Sequence, residues 1–206
     1  MKRIVVVLAL AAAVAGGASC ARRPMRGQES SGLDRKLSTF VWIEEGDIAT
    51  LLVGTRATRY REKDAYIPVE ISVANSGLKQ LTLTRESFVL VDAEGNRYPA
   101  AGPKELLENY EFLDLDRRLQ EIEGVTFNKF ATYTIYPSKF SPTRRNPTRP
   151  GESSLVRDSI TVPKFGYLID FVYFPRPTQG VMGRKFELFM SAPELENPIF
   201  VKFEVK

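Results

Sequence analysis

The chain contains no histidine, and it has only one cysteine, Cys20, and one tryptophan, Trp42. Without histidine there is no Ser-His-Asp or Cys-His triad, no His-ligated zinc and no imidazole proton shuttle. A lone cysteine excludes an intrachain disulfide and a Cys–Cys metal clamp. The long apolar run Ile4–Ala15 has about a dozen residues, short of the ~20 that a membrane-spanning helix requires. No glycine-rich loop of the phosphate-cradling type is present. Carboxylates are plentiful, but none forms a catalytic motif. Asp114 and Asp116, two apart, do not face each other on a helix. The sequence therefore reads as a non-enzyme with no resident metal or cofactor. What it does have is 43% hydrophobic and 26% charged residues over 206 positions, enough to bury a core in one large domain.

The N-terminus is ordered as a secretory signal peptide spanning residues 1–19. Lys2 and Arg3 precede the apolar run, and the small residues Gly16, Gly17, Ala18 and Ser19 follow it. Gly17-Ala18-Ser19-Cys20 resembles the lipobox of bacterial lipoproteins, with Gly17 where leucine is usual. That resemblance implies that Cys20 takes a diacylglycerol and becomes the mature N-terminus. Each acyl methylene buried in a bilayer contributes about 0.8 kcal/mol, so two or three chains anchor firmly. Ala21, rather than aspartate, follows the cysteine. In a Gram-negative lipoprotein this resembles an outer-membrane address, with the protein facing the periplasm.

Charge separates the anchor from the fold. The whole chain carries +4, and loss of Lys2 and Arg3 with the signal leaves +2. Residues 20–36 hold Arg22, Arg23, Arg26, Arg35 and Lys36 against Glu29 and Asp34, which leaves the remainder at −1. A nucleic-acid binder needs a concentrated basic face, so nucleic acid is not an expected partner. Residues 20–37 are polar, lack apolar periodicity and read as a flexible tether.

From residue 38 to 206 the pattern is mostly strands. Ile67, Val69, Ile71 and Val73 alternate with Pro68, Glu70 and Ser72, which predicts a half-buried strand. Ser87–Asp92 carries a continuous apolar run and is followed by a hairpin turn at Ala93–Asn96. Thr39–Glu44, Ala49–Thr55, Gln80–Thr84, Val125–Tyr136, Ser154–Val162, Tyr167–Phe174, Lys185–Ser191 and Pro198–Lys206 also read as strands. About nine strands at short spacing predict an antiparallel β-sandwich. A helical insertion interrupts it at about 103–123, with Pro103 near its start and an acidic first turn.

The stretch from Val69 to Tyr98 resembles the immunoglobulin-like domains of uncharacterised bacterial lipoproteins. The shared pattern is a strand ending in the Asn75-Ser76-Gly77 turn, a short strand, then Phe88-Val-Leu-Val-Asp92 closed by Gly95-Asn96 and Tyr98. The resemblance implies an immunoglobulin-like sandwich and no particular activity.

Several groups are candidates for chemistry. Asp92, Glu94 and Asn96 offer oxygens to Ca²⁺, although hairpin-turn chemistry explains them better. Met25, Met182 and Met190 suggest soft copper, but Met190 alternates with Leu188 and Phe186 as a core residue does. Tyr167, Phe171, Tyr173 and Phe174 form either an exposed strip for a glycan or peptide strand, or the filling of a central strand. The loop Pro137–Gly151 holds Lys139, Arg144, Arg145 and Arg149 with four prolines and no acid. It either meets an anionic envelope polymer, or is a solvated loop, or complements the insertion, where residues 104–123 carry seven acids against three bases. The expected function is a lipid-anchored binding or assembly module of the bacterial cell envelope that contacts a protein partner. The alternative is a module binding envelope polysaccharide or lipid through loop 137–151.

Overall fold

The structure is a computed structural model that describes residues 35–136, 140–143 and 156–206. It is mainly β, with eleven strands among the described residues arranged in three sheets. Arg35–Leu37, placed in the tether by the sequence, already pair with β1 (Val41–Glu45). Lys36 bridges Trp42, and the Ile43 N–H donates to the Arg35 carbonyl at 2.8 Å.

β1 continues antiparallel to β2 (Ala49–Gly54), and β2 to β3 (Tyr66–Asn75). The predicted alternation of β3 is present, yet all ten of its residues are buried. Ile67, Val69, Ile71 and Val73 enter the main core, whereas Glu70 and Ser72 occupy the opposite face. A strand half-exposed in sequence is buried on both sides because helices cover its polar face.

The central partner of β3 is β9 (Gly166–Pro175), antiparallel over ten residue pairs. The second sheet joins β5 (Phe88–Asp92) and β6 (Arg97–Pro99) with β10 (Lys185–Met190) and β11 (Ile199–Glu204), in the order β11-β10-β5-β6. β4 (Gln80–Thr84) pairs with β8 (Ser159–Pro163) as a third, two-stranded sheet. The three sheets share one core, to which Leu51, Val69, Leu81, Phe88, Val162, Phe174, Leu188 and Val201 contribute. Each such side chain contributes about 1.5–3 kcal/mol by leaving water.

The outer face of the larger sheet is covered by α1 (Arg56–Tyr60), α2 (Pro103–Asn109), α3 (Leu113–Asp116) and α4 (Ile122–Lys129). Two apolar clusters seat them, one around Leu106, Tyr110, Leu113, Phe171 and Tyr173, the other around Ile122, Phe130, Leu52 and Tyr167. The layer is also pinned by Asp116, fully buried, which accepts from Arg61 Nε and from the Tyr110 hydroxyl, each at 2.7 Å. Burial and the adjacent Asp116 carboxylate push the Tyr110 phenol far above its ordinary range, so it remains a donor.

Two sequence expectations are corrected. Val125–Tyr136 is not a strand: α4 occupies it through Lys129, and only β7 (Thr134–Ile135) is extended. Its β-branched and aromatic residues suggested a strand. The buried positions Ile122, Thr126 and Phe130, however, recur every four residues and fix a helix. The helical insertion therefore extends to Lys129 rather than residue 123. The short helix α1 had no counterpart in the sequence reading.

Candidate interaction surface

The turn between β8 and β9 is Pro163-Lys164-Phe165-Gly166. Phe165 sits there at φ 60°, in the left-handed region, and is the non-glycine residue recorded with positive φ among those described. A bulky side chain in that region costs about 1–2 kcal/mol. The surroundings hold it in place. The Phe165 N–H donates to the Asn75 carbonyl at 2.8 Å, and its own carbonyl accepts from the Thr134 N–H at 2.9 Å. Asn75 is itself fixed, its side-chain amide donating to the Leu78 and Val162 carbonyls and its Oδ1 accepting from the Leu78 N–H. At Gly166 a Cβ would meet the Pro163 carbonyl oxygen and the Tyr136 ring at 3.0 Å, so the turn cannot place its glycine at 165 and a side chain at 166 without shifting these neighbours.

The strained residue is not hidden. Phe165 is 52% exposed, and Lys164 Nζ stands 5.1 Å from its ring centre. Beneath it runs a series of rings. Tyr133 meets Phe165 edge-on at 5.5 Å, Phe130 lies 5.1 Å from Tyr133, and Tyr167 lies 5.9 Å from Phe130. The series leads from the buried face of β9, along α4, out to solvent.

Beside this turn lies one edge of the larger sheet, with no further strand on it among the described residues. β7 pairs with β9 in parallel, the Thr134 N–H donating to Phe165 and the Tyr136 N–H to the Tyr167 carbonyl at 2.7 Å. In a parallel ladder the intervening residue turns its peptide groups the other way, so those of Ile135 face outward. Ile135 is 57% exposed. Further along, the edge of β9 is closed by side chains. Asp170, fully buried, accepts from the Phe140 N–H at 2.6 Å, and the Ser141 hydroxyl donates to the Phe171 carbonyl. The open stretch is thus limited to the neighbourhood of Ile135 and Phe165.

α4 positions this region, because the chain passes from α4 through Phe130 and Tyr133 directly into β7. Its N-terminus rests on Glu70. That carboxylate, 2% exposed, accepts through Oε2 from the Glu121 N–H at 2.8 Å and the Ile122 N–H at 3.2 Å. Burial pushes the Glu70 carboxyl up to about 7, against the pull of the two N–H donors and with the help of the nearby Glu121 and Glu123 charges. Oε1 of Glu70, Ser72 Oγ and Thr126 Oγ1 are buried without a hydrogen-bond partner. Gly54 lies against Glu70, where a Cβ would come within 2.9 Å of Oε2 and 3.1 Å of the Ile122 side chain.

The sequence-predicted site residues fall elsewhere. Cys20, Met25, Lys139, Arg144, Arg145 and Arg149 lie outside the described residues, so nothing here favours a polymer-binding loop. The stretch Phe140–Thr143 of that loop is described, and Phe140 fills the main core. Tyr167, Phe171, Tyr173 and Phe174 are buried, as the central-strand reading expects and the exposed-strip reading does not. Met190 is core and Met182 is 39% exposed. Asp92 acts as a turn residue, accepting from the Glu94 and Asn96 N–H groups, Asn96 Nδ2 and the Tyr98 hydroxyl. No cluster of three or more acidic, His or Cys side chains able to hold a metal occurs among the described residues. A groove of about 560 Å³ lies against the second sheet near Trp42, Phe186 and Phe203. Its rim mixes Lys185 and Lys202 with Glu187 and Glu204, and Lys202 is tied to Glu187 at 3.2 Å, so it selects no ligand charge.

Sequence reasoning missed Phe165 and Glu70. The turn signal at Lys164-Phe165-Gly166 was present but did not show which residue takes the left-handed position. The alternation of β3 puts Glu70 on the face opposite the apolar residues, and no local pattern announces the helix that covers it.

No family model matches the chain, and no curated protein matches it. Among solved structures it is similar to ycdA, a Bacillus subtilis protein provisionally described as a lipoprotein, at 11% identity and a TM-score of 0.39. The likeness covers 79% of this chain and 38% of that one, so this chain spans well under half of that protein's length. A likeness this weak carries no argument about fold or function.

Proposed function

We propose that this chain is a lipid-anchored, non-enzymatic module of the bacterial envelope that docks an extended segment of a partner protein on the β7 edge and the Phe165 turn. Phe165 carries the reading. An aromatic residue held in a strained conformation by two backbone hydrogen bonds, one of them to the side-chain-fixed Asn75, and presented to solvent, is better explained by contact than by folding. The outward peptide groups of Ile135 offer main-chain pairing for an added strand, and the adjacent rings offer an apolar anchor. Anchoring at Cys20 rests on the order of the N-terminal sequence. The immunoglobulin-like sandwich is part of this proposal: the core shared among the sheets supports layered packing, and the immunoglobulin-like character rests on the resemblance of Val69–Tyr98.

Two experiments test it. A photo-crosslinking phenylalanine analogue at position 165 or 135 should give a discrete adduct with one envelope protein in living cells, while the same analogue at Lys185 gives none. Adducts at Lys185 but not at 165 would overturn the docking surface. Cys20→Ala should release the protein from membranes, and retention after a high-salt wash would overturn the anchor.

A further inference from the structure

The interface between α4 and the sheet is built unlike the rest of the interior. At the N-terminal end of the helix, beside the apolar cluster of Ile122, Phe130, Leu52 and Tyr167, it buries a carboxyl group. Glu70 accepts the first two N–H groups of the helix region on one oxygen, and its other oxygen has no donor. No lysine or arginine pairs with it among the described residues. Each element around it leaves it uncompensated. β2 presents Gly54 and β9 presents Phe171 across the ladder, while α4 presents the acids Glu121 and Glu123. On α1 and its C-terminal end, Arg61 is committed to Asp116. Past α3, Arg117 turns to the Ser141 carbonyl and Asp170. Ser72 Oγ and Thr126 Oγ1, one from each side of the same interface, also lack partners. A buried charge in such a setting costs far more than the neutral acid.

We propose that Glu70 is a proton-operated latch for α4: protonated, it keeps the helix seated, and ionised, it loosens the helix and the Tyr133–Ile135 edge that follows it. The link to partner binding rests on the docking surface proposed above; the latch itself does not. Freed from the sheet, Glu70 would titrate in the ordinary glutamate range near 4.5, while seated it titrates at about 7. Linkage then requires the seated form to bind the proton more tightly, and the seating equilibrium falls as pH rises through that window, by up to about two orders of magnitude.

Hydrogen exchange on the full chain in detergent, without any partner, reads the latch directly. After correction for intrinsic rates, protection of amides 122–130 should fall at least tenfold between pH 5 and pH 8, while amides of β3 stay unchanged. In Glu70→Gln, which keeps the acceptor oxygen and cannot ionise, protection of the same amides should not vary with pH. Equal pH dependence in wild type and Glu70→Gln would overturn the latch, as would constant protection in wild type. If Glu70→Gln fails to fold, the carboxyl ¹³C shift of Glu70 in wild type decides: a midpoint near 7 supports the latch, and one near 4.5 overturns it. Failure here leaves the crosslinks at Phe165 intact, and absence of those crosslinks leaves the exchange result intact, so the two readings fail separately.

Discussion

On one face of β3, Ile67, Val69, Ile71 and Val73 enter a core shared by all three sheets. On the other, Glu70 and Ser72 lie under a helical layer held by polar as well as apolar contacts. Five buried side-chain atoms lack a hydrogen-bond partner among the described residues, and four of them, on Glu70, Ser72, Glu121 and Thr126, belong to the α4 side. Trp42 Nε1 accounts for the fifth. The inner face is finished like an ordinary core and supplies stability. The outer face carries uncompensated polar groups, a structure that moves more readily. The candidate surface is attached to the outer layer through α4 and β7, so the proposed docking region adjoins the layer with most of the unpartnered buried polar atoms among the described residues.

The largest expected effect tests the inner face. Phe88 is fully buried and packs edge-on against Phe140 at 5.9 Å. Phe88→Ala should lower global stability by about 3–5 kcal/mol in urea unfolding. A loss below about 1 kcal/mol would mean that the shared core is not where stability resides.

Asp116 probes the outer layer. Its removal takes an acceptor from the half-buried Arg61 and the buried Tyr110, so Asp116→Ala should cost about 2–3 kcal/mol, and Asp116→Asn less. Exchange should rise first in α2 and α3 while β5 and β10 remain protected. Uniform loosening of both layers would dissolve the contrast between them.

The inner layer was legible because its strands follow local rules. The period-2 pattern of β3 and the Asp92–Asn96 hairpin appear in the structure where the sequence placed them. The outer layer was less legible because its determinants are distant in the chain. α4 is seated by Glu70, 52 residues from Ile122, and its composition of Val125, Phe127 and Phe130 favours strand. No rule of local propensity reports that contact. The same holds for Phe165, whose conformation is dictated by Asn75 and Thr134.

A third prediction concerns pH. Because the folded Glu70 carboxyl titrates near 7 rather than 4.5, the native state binds the extra proton between those values. Stability therefore falls as pH rises through that window, by roughly 3 kcal/mol in all, and it is fully present below it. Glu70→Gln should flatten this slope and leave the variant more stable than wild type at pH 8, as seen in paired thermal melts. An unchanged slope would place the titration elsewhere.

The smallest effect in energy tests the central claim most directly. Phe165→Gly removes the side chain from a left-handed position while leaving the backbone path available. If Phe165 is kept for contact rather than for folding, the variant should keep its stability to within about 1 kcal/mol, the relieved strain offsetting the added unfolded-state entropy and the lost Tyr133 ring contact. A crosslinker at Ile135 should then lose its partner adduct. A variant less stable than that which still gives the full adduct would contradict the account.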